Sequence, residues 1–245
     1  MGKIRLSAHG LTDIGLRRTS NEDNWLIRCE VGCFLVADGM GGAAAGEIAS
    51  QIFMNIADQT NDRPEERTKE KAIALLKESF STANTEIRNH AVQNPDRMGM
   101  GCTAELLLVH DRGFVLGHIG DSRSYRLRRG HLARLTKDHS LVQDQVDQGL
   151  ISKDEARTHR LRNVISRAVG VNDQLEVDII QGGLQAGDLF LLCSDGLTDM
   201  VADDEILNIL LRQEVLADQV ARLIELANAG GGRDNITVVL VRVDP

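Results

Sequence analysis

Residues 102–130 read CTAELLLVHDRGFVLGHIGDSRSYRLRRG. Three runs, Cys102 to Val109, Phe114 to Ile119 and Ser124 to Leu127, are separated by Asp111-Arg-Gly113 and Gly120-Asp121 and closed by Arg129-Gly130. Breaks this short join antiparallel neighbours, because a parallel pair needs a crossover of roughly a dozen residues. The stretch therefore predicts strands in hairpin series, which excludes the regular βαβ alternation of a doubly wound sheet.

Upstream, alternation in Ile4 to Ala8 and Trp25 to Cys29 and the apolar run Cys33 to Ala37 predict three strands before residue 40, the third ending on Asp38. Small residues from Gly41 to Gly46 then lead into helical spacing at Ile48, Ala49, Ile52, Phe53 and Ile56. After the polar break Asn61 to Pro64, a second long amphipathic helix is expected from Glu65 to Val92. Downstream, Glu176 to Ile180 and Leu189 to Cys193 resume the strands, Asp203 to Leu211 and Leu216 to Ala229 form helices, and Ile236 to Val243 closes the sheet. The polar stretch 138–169, with short helical pieces near 140–148 and 152–158, reads as an excursion outside the sheets, or a mobile flap. The expected fold is α+β: a four-layer α-β-β-α sandwich of two antiparallel sheets, each covered by a helix pair, in one domain spanning 1–245. Its strand-end loops would gather at one edge.

Composition narrows the function classes. With 42% hydrophobic but 3% aromatic residues, the core is built mainly from aliphatic side chains, and stacking on bases is disfavoured. A formal charge of −8 disfavours non-specific binding to nucleic acid or anionic membrane. Cys29, Cys33, Cys102 and Cys193 lack zinc-ligand spacing and are expected to be buried and reduced. No apolar leader, myristoylation pattern or bilayer-length apolar stretch is read in the sequence, so the cytosol is the expected compartment.

Acidic loops stand where apolar strands stop: Asn21-Glu22-Asp23, Ala37-Asp38-Gly39, Gly120-Asp121-Ser122 and Ser194-Asp195-Gly196, with Asp234-Asn235 before the last strand. Carboxylates crowded together away from water repel, and a hard divalent cation is what makes such a gathering tolerable. The pattern predicts a magnesium or manganese site. Taken singly, Asp38 could equally cap the next helix, Gly120-Asp121-Ser122 could be an ordinary Asx turn, and the glycines before Asp234 could simply stop a helix. Repetition of the Asp-Gly construction at Asp38 and Asp195 weakens those readings. Gly39 would let an ion approach its carbonyl oxygen. Arg18, three residues before Asn21, offers planar donors suited to phosphate.

A rival signal is Gly39-Met-Gly41-Gly-Ala-Ala44, which matches a dinucleotide fingerprint and has Asp58 nineteen positions after its first glycine. Asp58 falls in a polar helix exit rather than after a second strand. Asp38 would also bring negative charge close to the pyrophosphate. The metal reading is preferred.

Together, the segments 12–23, 37–42, 99–104, 120–123, 194–196 and 233–235 resemble the metal-dependent protein phosphatase (PPM) family, the type-2C Ser/Thr phosphatases, in a compact bacterial form. The resemblance runs in family order from about residue 7 to 243, with 135–140 and 162–170 resembling the flap borders. It implies Mn²⁺- or Mg²⁺-dependent hydrolysis of phosphoserine and phosphothreonine in proteins. Two core ions roughly 3.5 to 4 Å apart would share the attacking water, without a covalent phosphoenzyme. Asp38 would bridge them, Asp195 and Asp234 would complete the first ion, and Glu22 and the Gly39 carbonyl would serve the second. Asp121, sharing Asp195, would hold a weaker third ion. Asp23 and Asp199 would steady waters around the ions, and Arg18 would hold the substrate phosphate. Met40 departs from the animal pattern, which has His there as leaving-group acid; a water held by the ions, or His139, would take that part. The partner it implies is a Hanks-type Ser/Thr kinase with its phosphorylated substrates. A catalytically silent binding module on the same fold is the alternative from another class.

Overall fold

The computed structural model describes residues 4–41, 45–62 and 67–244. In chain order the strands are β1 (Leu6–Asp13), β2 (Asp23–Arg28), β3 (Cys33–Met40), β4 (Gly101–Cys102), β5 (Ala104–His110), β6 (Gly113–Ile119), β7 (Arg123–Arg128), β8 (His131–Arg134), β9 (Asp178–Gly183), β10 (Leu189–Cys193) and β11 (Ile236–Val243). The helices are α1 (Ala45–Thr60), α2 (Lys69–Gln93), α3 (Leu141–Asp147), α4 (Lys153–Thr158), α5 (Asp195–Thr198), α6 (Asp203–Leu210) and α7 (Leu216–Ala229).

One sheet runs β1-β11-β10-β7-β8 and the other β2-β3-β5-β6-β9, with β4 paired to β3, and every pairing is antiparallel. The central strands are apolar on both faces, and their alternation sorts the side chains into separate layers. Phe34, Val36, Leu107 and Leu116 of one sheet meet Phe190, Leu192, Val239 and Val241 of the other. Leu35, Leu106 and Leu108 instead pack with Phe53 of α1 and Leu76 and Phe80 of α2. Leu191, Val238 and Leu240 pack with Ile206 of α6 and Leu223 of α7. These three apolar layers make the expected four-layer sandwich. Buried apolar area at about 25 cal/mol per Å² is its main source of stability.

Several boundaries differ from expectation, each for a physical reason. The third strand does not stop at Asp38: it continues through Met40, with Gly39 opposite Cys102 and Met40 opposite Gly101. The expected strand 102–109 is split at Thr103, whose N–H donates to the Asp38 carbonyl at 2.8 Å and whose Oγ1 accepts from the Asp38 N–H at 3.1 Å. β8 was not expected, because 131–134 carries no apolar run; it is an edge strand formed by the turn at Arg129-Gly130, both at positive φ. α2 begins at Lys69, capped by Thr68; the earlier start at Glu65, the break at Pro64 and Gly42–Ala44 of the fingerprint lie outside the described residues. The excursion 138–169 does carry two short helices, but its roots are tied down. Ser140 pairs with Ile165, Cys102 pairs with Val169, and the His139 N–H donates to the Gly120 carbonyl at 2.7 Å.

Candidate metal centre

Asp23 and Asp38 are directly opposite each other on neighbouring strands β2 and β3, a placement that sets like charges side by side. Asp23 is buried, 6% exposed, and Asp38 is partly buried between Ala37 and Gly39, which are closed to solvent. Asp23 Oδ2 accepts from Ser194 Oγ at 2.8 Å and Thr237 Oγ1 at 2.6 Å, so this carboxylate ties its own sheet to the other. The second oxygen, Oδ1, has no partner among the described residues. Gly39 follows Asp38 where α1 crosses the strand, and a Cβ there would meet the Gly46 carbonyl oxygen at 2.1 Å and the Glu22 carbonyl oxygen at 2.6 Å. At Gly46 a Cβ would meet Glu22 Oε2 at 2.5 Å. The glycines therefore let the Glu22 carboxylate and the Gly39 main chain lie against one another. Glu22 is further fixed by its backbone: its carbonyl accepts from Ser50 Oγ at 2.6 Å and the Gly39 N–H at 3.1 Å.

Asp195 is differently built from Asp38. It is the first residue of the short helix α5, with Ser194 as N-cap; the Ser194 hydroxyl bonds Asp23 rather than the helix. Asp195 Oδ1 is buried without a partner among the described residues. Asp199 closes the same turn through its N–H to the Asp195 carbonyl at 2.8 Å, while its carboxylate lies 3.4 Å from Arg162 Nε of the flap. Asp121 follows Gly120, whose φ of +105° turns the chain out of β6. Asp234 accepts from Arg18 Nη2 at 2.6 Å, which leaves other donors of that half-exposed guanidinium free for a ligand.

Electrostatically, these side chains form one cluster. Burial drives Asp38 well above the usual carboxylate range, and Asp23, Asp195, Asp121 and Asp234 push it further. Asp195 rises likewise through burial and then through Asp121, Asp199, Asp234 and Asp23. Burial raises Asp23 to about 6 and Asp121 to about 7, the latter helped by Asp138. Glu22 is raised by burial, with Arg18 opposing. Among the described residues no three His, Cys, Asp or Glu side chains are drawn into a finished cage that would hold an ion as they stand. The acids share a field rather than a coordination sphere. A hard cation suits that arrangement: oxygen-only donors, orphaned buried oxygens on Asp23 and Asp195, and an excess of negative charge that burial alone would protonate.

Residues that sequence reasoning left without a role prove to organise the cluster. Asn235 Oδ1 accepts from the Glu22 N–H at 2.8 Å, and its Nδ2 donates to the carbonyls of Ile14 at 3.0 Å and Ser20 at 2.9 Å. Thr12 Oγ1 links Asn21, at 2.8 Å, to Thr237 Oγ1, at 2.7 Å. Thr103 Oγ1 lies 2.7 Å from Ser122 Oγ, coupling the Asp38 backbone to the loop of Asp121. Thr237 had a visible signal, a polar residue in an otherwise apolar central strand. Ser194 and Asn235 adjoin quoted acids, but spacing does not reveal what their side chains bond.

His139 and Asp23 have further partners in the structure. His139 is buried, with Nδ1 accepting from the Gly120 N–H at 3.2 Å and Nε2 3.3 Å from Asp178, so it secures the flap root and is not offered to a leaving group. Asp23 spends one oxygen on stapling the sheets, which leaves only the other for a water. Asp58 of the rival fingerprint lies on α1, ion-paired to Arg28 at the end of β2. The cysteines are free, with Cys29 partly exposed and the other three buried.

Comparison with known proteins places the chain in a family. A family model described as protein phosphatase 2C matches residues 17–238. The chain belongs to that family. It is 42% identical over 233 residues to the Mycobacterium tuberculosis Ser/Thr protein phosphatase PstP, covering 95% of this chain and 44% of that protein. It therefore spans less than half the length of that family member. A Listeria monocytogenes Ser/Thr phosphatase, stp, is 38% identical over 95% of this chain and 94% of its own. Among solved family structures, the PstP catalytic domain in complex with two manganese ions superposes with a TM-score of 0.90 at 38% identity, covering 99% of this chain and 100% of that one.

Proposed function

We propose that this chain hydrolyses phosphoserine and phosphothreonine in proteins with Mn²⁺ or Mg²⁺, in the cytoplasm, reversing a bacterial Hanks-type Ser/Thr kinase. The observation that carries the reading is the convergence of Asp38, on β3, and Asp195, at the start of α5 after β10, around Asp23, which stands opposite Asp38 and bonds Ser194 at 2.8 Å, into one field of mutual repulsion. The family membership and the manganese complex of PstP support it. No helix among the described residues is long and apolar enough to cross a membrane.

In this reading Asp38, Asp195 and Asp234, with Glu22 and the Gly39 carbonyl, would hold two core ions, and Asp121 with Asp195 would hold a weaker third. When bound, the ions would supply Lewis acidity that lowers the pKa of a water and neutralises phosphoryl charge. The protein supplies placement. Arg18 would present guanidinium N–H donors to the phosphate oxygens, so charge developing on them is met by a positioned cation rather than reorganising solvent. Asp23 and Asp199 would accept hydrogen bonds from waters at the margin of the site and steady them. Asn235 and Ser50 hold the Glu22 backbone so that its carboxylate stays over Gly46.

Turnover of p-nitrophenyl phosphate and a phosphothreonine peptide, with and without Mn²⁺, tests the reading. Activity must require the ion, and Asp38→Ala or Asp195→Ala must abolish it while the chain remains folded. Turnover surviving either substitution, or manganese binding with no turnover at all, overturns it.

A further inference from the structure

From Ala156 to Asn172 the chain contains Arg157, Arg160, Arg162 and Arg167 and no Asp or Glu, although the whole protein carries 36 acids in 245 residues. This cationic segment is the second half of the flap and its root. Arg162 ties it to the metal centre through Asp199, whose N–H in turn bonds the Asp195 carbonyl. Arg167 is engaged by Asp178 and Glu176. Arg157, in the last turn of α4, and Arg160, in the turn that follows, are exposed and make no ion pair among the described residues.

A charge run is most often a solvated surface, but that account fits poorly here. Arg162 and Arg167 are each answered by acids, whereas Arg157 and Arg160 stay exposed and unpaired among the described residues of a chain whose net charge is −8. The segment is joined to the acidic site through the pair of Arg162 with Asp199, and Arg162 lies two residues from Arg160 and five from Arg157, so an anion bound at that site brings its flanking residues toward this stretch of chain.

We infer that Arg157 and Arg160 form an anion-reading surface that selects phosphoprotein segments carrying a second negative group, an acidic side chain or a second phosphoryl, close in sequence to the phosphoresidue being hydrolysed. The inference rests on the phosphatase reading of the adjoining centre. Guanidinium forks bind carboxylate and phosphate alike, so the two sources share one chemistry and differ only in charge. The contribution is that of exposed ion pairs and is screened by salt.

Three phosphothreonine peptides of equal length test it: one neutral around the phosphoresidue, one flanked by Asp and Glu, one bearing a second phosphoserine. At low ionic strength kcat/KM should be about three- to ten-fold higher for the acidic peptide than for the neutral one, and higher again for the doubly phosphorylated one. The preference should fade in about 0.5 M salt, where exposed pairs are screened. In the Arg157→Gln/Arg160→Gln double variant all three peptides should converge, while p-nitrophenyl phosphate turnover and the melting temperature stay at wild-type values. Arg160→Glu should turn the preference toward a lysine-flanked peptide. Equal kcat/KM for the three peptides in the wild type, or an unchanged ranking in the double variant, overturns the inference. Loss of all turnover in the wild type would count against the phosphatase reading instead.

Discussion

Asp23 on β2 and Thr237 on β11 meet across the two sheets, the threonine hydroxyl donating to the Asp23 carboxylate at 2.6 Å. The contact joins the layers at the edge where the acids gather, so the same carboxylate that burdens the site with charge also fixes the distance between the sheets that carry it. Ser194 supplies a second donor to the same oxygen, and its Oγ in turn accepts from the Thr237 N–H at 2.9 Å. Stability and site geometry are coupled through this one side chain.

Thr237→Val keeps the shape and removes the hydroxyl. It leaves a buried charged oxygen with one donor in place of two, a loss of about 1 to 3 kcal/mol. Urea unfolding should show the midpoint falling with little change in slope. An unchanged midpoint would mean that the contact is not made in solution.

Removal of the divalent ion should destabilise the protein in a pH-dependent way. Asp23 and Asp121 are pushed up to about 6 and about 7, and Asp38 and Asp195 are raised as well, so the folded chain retains protons that the unfolded chain has released by about pH 4. Stability of the ion-free protein therefore falls as pH rises from about 4 through about 7. Divalent ions replace those protons, so the melting temperature in Mn²⁺ minus that in EDTA should be small at pH 5 and larger at pH 8. Saturation at about a hundred times the dissociation constant is worth about 2.7 kcal/mol. A difference that shrinks as pH rises would contradict the placement of these carboxylates.

Much of this was legible in residue order. The hairpin series 102–130 and the late helix pair identified the sandwich, and β10, α7 and β11 fall on the expected residues, because long apolar runs with clear turns leave little choice of period. The acids at strand ends were legible for a similar reason: a charged residue after five apolar ones is conspicuous. Strand ends were not. Whether β3 stops at Asp38 depends on Gly101 and Cys102 arriving to pair with Met40 and Gly39, a tertiary event with no local signature. The difference between Asp38 inside a strand and Asp195 opening a helix was hidden likewise, since both stand before glycine.

Gly39→Ala should be severely destabilising. Its Cβ would stand 2.1 Å from the Gly46 carbonyl oxygen, which belongs to helix backbone and cannot swing aside. A cost of at least about 3 kcal/mol is expected, at the upper end for overpacking. Expression with a near wild-type melting temperature would show that α1 can move away from β3.

Asn235→Ala should separate ion affinity from folding. The Asn235 side chain bonds the backbone at Ile14, Ser20 and Glu22, drawing the loop that carries Arg18 and Glu22 against the entry to β11 beside Asp234. Without it the Glu22 N–H loses its acceptor, and both Glu22 and Arg18 lose a fixed position relative to Asp234. Loss of a supporting residue of this kind typically costs about 10- to 100-fold in metal affinity. The Mn²⁺ concentration for half-maximal turnover should rise by that order, and hydrogen exchange at the Glu22 amide should quicken, while exchange in the central strands β5 and β10 remains slow. Faster exchange throughout the sheets would instead make Asn235 a general structural support. Unaltered manganese dependence with a loosened Glu22 amide would remove Glu22 from the ion-holding set.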